Sequence, residues 1–360
     1  MESTYNQKLD GLRAICISLV LIEHFVPVIN RNLSLGYFGV DFFFVISGYL
    51  ITKILLKTNE PFFISYKKFI GRRTLRIFPL YYFTIILLYI FGDNFVHKYF
   101  IYCITYTYNY ALIFCNLPNN IIRHFWSLCV EEQFYLFWPI LVLALRKNLV
   151  LLSIIIISLV VFCYCQTYFN IIEKIKLYNE VGLIPRAASL GLGALGTISI
   201  FENKYASFLL NSKKIEYLII SLLLFFIVTN YSVKYLFCPI LFLFLILKTN
   251  KNFINSKFLN KILNNKSLVN LGKISYGVYL FHIPLSFYFT NYVFDPLIWS
   301  KINFEYFETF KILKWHSWIL KFPLCTFLSI LVASISYKYF ETPILGLKDK
   351  WFKYDFKKLS

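Results

Sequence analysis

Arg13 and His24 stand eleven residues apart in one apolar segment, and the run Gly39-Val-Asp41-Phe-Phe-Phe-Val-Ile-Ser47-Gly48 follows closely. Placing a histidine, an arginine and an aspartate in a membrane is expensive, so such groups are functional candidates. In a helix, eleven residues at about 100° each return to nearly the same azimuth. Arg13 and His24 therefore share one face, roughly 16 Å apart along the axis. One group then sits at a membrane surface and the other near the bilayer centre. That arrangement suits a charged cofactor held at the surface and acid–base chemistry carried out deeper in.

Asp41 enters from the outer end of the second apolar segment, roughly 7 Å deep, a depth that would let it approach His24 in the neighbouring helix. A carboxylate on an imidazole fixes its tautomer, stabilises the imidazolium and leaves the other nitrogen free as a general base. Alternatively, His24 is a structural histidine bonded within a helix bundle. Glu23 lies about 100° around the helix from His24 and faces elsewhere or pairs structurally. Ser47, in mid-helix beside Gly48, reads as a close-packing residue rather than a nucleophile.

Three further groups carry chemistry. Arg72, Arg73 and Arg76 are helical neighbours in Gly71-Arg-Arg-Thr-Leu-Arg76. Their forked donors match phosphate oxygens, or else form a basic collar against lipid headgroups. In His124-Phe-Trp-Ser-Leu-Cys-Val-Glu131-Glu132-Gln-Phe-Tyr135, Trp126 reads as an interfacial anchor. Glu131 lies a turn and a half deeper, with Tyr135 on its face, and acts either in catalysis or as the partner of Arg186. Ser275, Tyr279 and His282 form one helical stripe, which is either a packing device ahead of Pro284 or part of a site.

The elements holding these residues are membrane helices. The 360-residue chain is 58% hydrophobic and 15% charged, well below the charge of a soluble domain. No small-residue cleavage site follows Lys8 and Asp10, so a cleavable signal peptide is not expected. The eight cysteines are scattered without a CxxC pair and read as buried thiols rather than a disulfide or metal site.

Spanning stretches are expected near 12–30, 36–56, 77–92, 127–146, 149–165, 183–200, 215–230, 231–248, 268–293 and 317–340. The aromatic, polar stretch 100–115 is the doubtful one. With ten crossings and both termini inside, 23 Lys/Arg fall on cytoplasmic segments and 9 on outer loops, as the positive-inside rule requires. Making 100–115 an eleventh crossing inverts that balance downstream, so it is expected to re-enter or to lie at the outer interface. The formal charge of +19 is then an orientation signal and an attraction to anionic membrane lipid, not a nucleic-acid footprint. A single membrane domain fills the chain, ending in a basic cytoplasmic tail over 341–360. No repeat of the transporter kind is visible.

These segments together resemble the acyltransferase family 3 membrane proteins, bacterial O-acyltransferases that modify surface polysaccharides. The resemblance rests on Leu9-Asp-Gly-Leu-Arg-Ala14 through His24, Gly39 to Gly48, Arg72-Arg-Thr-Leu-Arg-Ile-Phe-Pro79, Phe125 to Tyr135, Ser275 to His282, and Glu341-Thr-Pro343, in family order. It implies an all-α integral membrane protein of the bacterial cytoplasmic membrane, of the stand-alone type without an extracytoplasmic hydrolase-like domain. It also implies transfer of an acyl group, usually acetyl, from cytoplasmic acetyl-CoA to a hydroxyl of an external or lipid-linked glycan. His24 would be the base, and Arg72 and Arg76, with Arg73 and Arg13, would hold the donor. Tyr135 and His282 are acceptor-side candidates. The stretches 100–115 and 294–316 look divergent, which leaves the acceptor open.

On this reading CoA phosphates dock at the arginines and the pantetheine arm carries the thioester to His24. Asp41 orients the imidazole while it deprotonates the acceptor. Two other classes use buried His, Asp and Glu: a proton-coupled transporter, and a protein that handles a glycan without chemistry. A transporter has no need of a cytoplasmic arginine cluster aligned with the histidine.

Overall fold

The computed structural model describes residues 6–26, 33–115, 117–118, 120–168, 176–202, 212–228, 234–250, 254, 256–298, 300 and 318–355. Most of the stretch 294–316 lies outside them, as do parts of four expected spans. Among the described residues the fold is helical throughout, with no strand. Among the described residues, six stretches are long and apolar enough to cross a membrane: Leu35–Lys57, Phe62–Ile90, Arg123–Leu145, Leu149–Thr167, Leu177–Ser199 and Trp318–Trp351.

The first half sets the frame of the site. Helix α1 (Gln7–Phe25) starts on an Asn6 cap, and α2 (Leu35–Lys57) packs antiparallel to it. Gly36 N–H donates to Glu23 at 2.6 Å, which gives Glu23 a structural partner. A Cβ at Gly39 would lie 2.6 Å from the carbonyl of Cys16. Helix α3 (Phe62–Ile90) and α7 (Trp126–Leu145) are also antiparallel: Tyr81 meets Phe125 at 5.5 Å and Phe69 meets Tyr135 at 6.4 Å between ring centroids.

The chain therefore leaves α3 and re-enters α7 at the same end of this pair. Three short helices lie between them: α4 (Asn94–Lys98), α5 (Phe100–Ile104) and α6 (Tyr108–Phe114). They descend along α3, with His97 stacked on Tyr89, Tyr81 and Tyr82 hydroxyls donating to the carbonyls of Cys103 and Ile104, and Tyr106 stacked on Phe78. From Tyr89 to Phe78 is a descent of about 16 Å. Tyr106 turns the chain at φ 54°, its carbonyl held by Gln133 at 2.8 Å.

Helix α8 (Leu149–Tyr168), the short α9 (Lys176–Val181) and α10 (Leu183–Glu202) follow. A Cβ at Gly48 would sit 1.9 Å from the carbonyl of Leu190, and one at Gly193 2.0 Å from that of Val45. Only residues without side chains let α2 and α10 cross this closely. Helices α11 (Lys213–Val228) and α12 (Lys234–Asn250) are joined by a fully buried Lys248–Glu216 ion pair at 3.4 Å. The short α13 (Lys257–Leu263) and α14 (Lys266–Lys273) pack on α1 and lead into α15 (Ser275–Phe289). Helix α16 (Trp318–Ser336) continues through a wide turn at Tyr337–Glu341 into α17 (Thr342–Trp351).

The basic stretch after Glu341 is not a free tail over its described part. Helix α17 lies on α3: the Arg72 guanidinium donates to Asp349 at 2.8 Å and to the carbonyls of Lys348 and Phe352 at 3.1 Å. Tyr354 stacks under the same guanidinium at 5.2 Å.

Candidate active site

A cavity of about 180 Å³ runs between α1, α2, α3, α7 and α15. Arg13, Arg73 and Arg76 line one end, and Glu131, Tyr135 and Ser47 stand beside them. Ser127, Tyr279 and Ser275 line the remainder, with an apolar wall from Val40, Phe43, Phe44 and Leu128. The side chains come from five helices because each helix presents its polar residues at helical spacing. Arg73 and Arg76 are three apart on α3, Glu131 and Tyr135 four apart on α7, and Ser275 and Tyr279 four apart on α15.

The cationic end differs from expectation in one arginine. Arg73 and Arg76 face the cavity, whereas Arg72 is turned to the C-terminal segment and occupied there. The two residues are consecutive, about 100° apart on the helix. Docking of α17, with Phe352 filling the space beside Gly71, claims the face that carries Arg72. Arg13 also reaches Asp10 at 3.6 Å.

Glu131 is not the partner of Arg186. Its carboxylate accepts from the Ser47 hydroxyl at 2.7 Å, and Ser47 accepts from the Tyr135 hydroxyl at 3.1 Å. The Arg73 guanidinium lies over the Tyr135 ring at 4.8 Å. Tyr135 thus belongs to the arginine end rather than to an acceptor side. Ser47, read from sequence as packing alone, ties α2 to α7 in the cavity wall. Its position one turn and a half beyond Asp41 gave no sign of that partner.

Asp41 does not serve His24 here. Its carboxylate pairs with Arg186 at 3.0 Å, both side chains fully buried. The register of α1 and α2 explains why. With Gly36 beside Glu23 and Gly39 beside Cys16–Val20, Asp41 falls level with about residue 17, roughly 10 Å along α1 from His24. Arg186 is also held by the carbonyl of Glu180 and by the rings of Tyr37 and Trp126, at 3.9 and 5.0 Å. Half-buried Trp126 packs against this guanidinium and against Phe44.

His24 lies at the other end of α1 from Arg13, exposed, with its ring 5.1 Å from that of His282. The His282 ring is 4.8 Å from that of His124, a residue the sequence left without a role. This histidine group stands just past the end of the cavity opposite the arginines. Tyr279 and Ser127 hydroxyls bond each other at 2.7 Å, and Tyr279 also donates to the carbonyl of His124 at 2.9 Å. The stripe Ser275, Tyr279, His282 thus runs along the cavity and out to the histidines. The fold gathers Arg13, Arg73, Arg76, Glu131 and Tyr135 at one end, and sets His24 beside His282 at the other.

Comparison with known proteins identifies the family. A family described as "Acyltransferase domain", Acyl_transf_3, matches residues 6–338. The chain is 30% identical to the peptidoglycan O-acetyltransferase OatA of Listeria monocytogenes, over 96% of this chain and 58% of that protein. It is 29% identical to the O-acetyltransferase OatA of Staphylococcus aureus strain MRSA252, over the whole chain and 61% of the relative. The chain spans about three fifths of the length of the curated relatives it matches. No solved structure matches it. With the family matched over nearly its whole length, the chain belongs to the acyltransferase family 3.

Proposed function

We propose that this protein is a multi-pass O-acetyltransferase of the bacterial cytoplasmic membrane, moving acetyl from cytoplasmic acetyl-CoA to a hydroxyl of an extracytoplasmic or lipid-linked glycan. The observation that carries this reading is the polarity of one cavity: guanidiniums at one end, imidazoles just past the other. Family membership and the O-acetyltransferase names of the relatives support it. Ten crossings with both termini inside put the arginine end at the cytoplasmic face, in agreement with the positive-inside count.

CoA phosphates bind at Arg13, Arg73 and Arg76, where forked donors meet phosphate oxygens. The cavity, about 180 Å³ in volume, takes an extended pantetheine arm, which brings the thioester toward Tyr279 and Ser127. His24 takes the proton of the acceptor hydroxyl as its oxygen attacks the thioester carbonyl. Collapse of the tetrahedral adduct breaks the C–S bond, and the CoA sulfur leaves with the proton from the His24 imidazolium. The ester stays on the glycan.

Mass spectrometry of surface glycans from cells expressing the wild type or His24→Ala tests the proposal. One acetyl mass on one sugar, absent from the variant, is the expected result. No His24-dependent change, with both proteins in the membrane, would favour transport or binding instead.

A further inference from the structure

With Asp41 held by Arg186, the ring that His24 meets is another histidine, His282, 5.1 Å away between centroids. His282 is fully buried and His124 is 4% exposed. Each has one nitrogen on a backbone carbonyl: His282 Nδ1 on Tyr279 O at 2.7 Å, and His124 Nε2 on Leu280 O at 3.4 Å. A carbonyl oxygen only accepts, so those nitrogens carry the protons and both rings are fixed in one tautomer. The remaining nitrogens, His282 Nε2 and His124 Nδ1, are lone-pair acceptors with no hydrogen-bond partner among the described residues. Two buried acceptors without a donor are costly unless a ligand or a moving proton uses them.

From this we infer that His282 is the positioning residue of His24, its Nε2 lone pair receiving the N–H of the catalytic imidazole when the exposed His24 ring, 5.1 Å away between centroids, turns toward it. The inference rests on the acetyl-transfer reading above. The bond fixes His24 as the tautomer whose other nitrogen faces the acceptor hydroxyl. When His24 takes the acceptor proton, the imidazolium N–H shares its charge with His282 Nε2. The proton then leaves His24 for the CoA sulfur, and no atom is exchanged with His282. His124, behind His282, backs the ring and keeps a second neutral imidazole at the pair. A neutral relay of this kind does in a low-dielectric interior what a carboxylate does elsewhere, without burying a charge.

The test compares His282→Phe with His282→Gln in purified protein, using acetyl-CoA and a glycan acceptor. Phe fills the space without a lone pair, whereas the Gln amide oxygen restores an acceptor. The Phe variant is expected to lose about 100-fold in kcat with the donor KM within about twofold. The Gln variant is expected to recover at least tenfold over Phe. Equal turnover in the two variants overturns the inference, since a packing role treats Phe at least as well as Gln. If neither variant folds, 15N-histidine-labelled wild type decides. A coupling across an N–H···N bond between two histidines is expected, and its absence overturns the inference. A wild type that transfers no acetyl group would remove the acetyl-transfer reading itself, a separate failure.

Discussion

The Ser47 hydroxyl donates to the Glu131 carboxylate at 2.7 Å, joining α2 and α7 at the guanidinium end of the cavity. The bond holds a carboxylate between Arg13, Arg73 and Arg76, where it offsets their mutual repulsion before an anionic donor arrives. Ser47→Ala removes one donor from Glu131 and one acceptor from Tyr135. We expect a loss of about 1–3 kcal/mol, read as a lower melting temperature in detergent. Glu131→Ala should cost more and raise the donor KM. Two variants as stable as the wild type would contradict this role.

Arg72 and Arg73 separate cleanly in function despite being neighbours. Arg73→Ala and Arg76→Ala should each raise the acetyl-CoA KM about tenfold or more, because each removes a phosphate partner, worth about 1.5–3 kcal/mol as a hydrogen bond to a charged group. Arg72→Ala should leave that KM within about twofold and instead loosen the C-terminal segment. Limited proteolysis after Glu341 reads the second effect. A donor KM raised equally by all three substitutions would count against the separation.

Asp41 tests which group orients His24. If its carboxylate held the imidazole, Asp41→Asn would cost about 10⁴-fold in kcat, as carboxylate-to-amide changes do in hydrolase triads. The Asp41–Arg186 pair leads us to expect a kcat within about threefold, because the amide oxygen still accepts from Arg186. Asp41→Ala leaves Arg186 buried without its counter-charge, and a loss of about 3–5 kcal/mol should appear as poor yield of folded protein.

The crossing of α2 and α10 makes a prediction about folding alone. A Cβ at Gly193 would meet the Val45 carbonyl at 2.0 Å, and one at Gly48 the Leu190 carbonyl at 1.9 Å. Neither backbone can yield without separating the helices that carry Asp41 and Arg186. Gly193→Val should therefore abolish folded protein in a detergent-extraction and size-exclusion assay. A monodisperse, active variant would show that the helices part more easily than their packing indicates.

Much of the site is legible in the sequence because helical spacing is a local property. The shared face of Arg13 and His24, the pair Glu131 and Tyr135, and the stripe Ser275, Tyr279, His282 all follow from 3.6 residues per turn. The expectation that 100–115 re-enters or lies at the outer interface rests on charge balance across the membrane. What spacing cannot supply is the partner chosen across helices. Asp41 went to Arg186 because the α1–α2 register sets it two turns from His24. Arg72 was claimed by Asp349, 277 positions away in sequence. His124 had no motif logic of its own and acquires a place only where α7 and α15 meet.

The most direct test is acetyl transfer across a membrane. Purified protein in sealed vesicles of known orientation would receive radiolabelled acetyl-CoA on the arginine side and a glycan acceptor on the histidine side. Label should appear on the glycan with the wild type and vanish with His24→Ala, while that variant still binds acetyl-CoA. Transfer at the wild-type rate by His24→Ala, or label confined to the donor side, would contradict the mechanism.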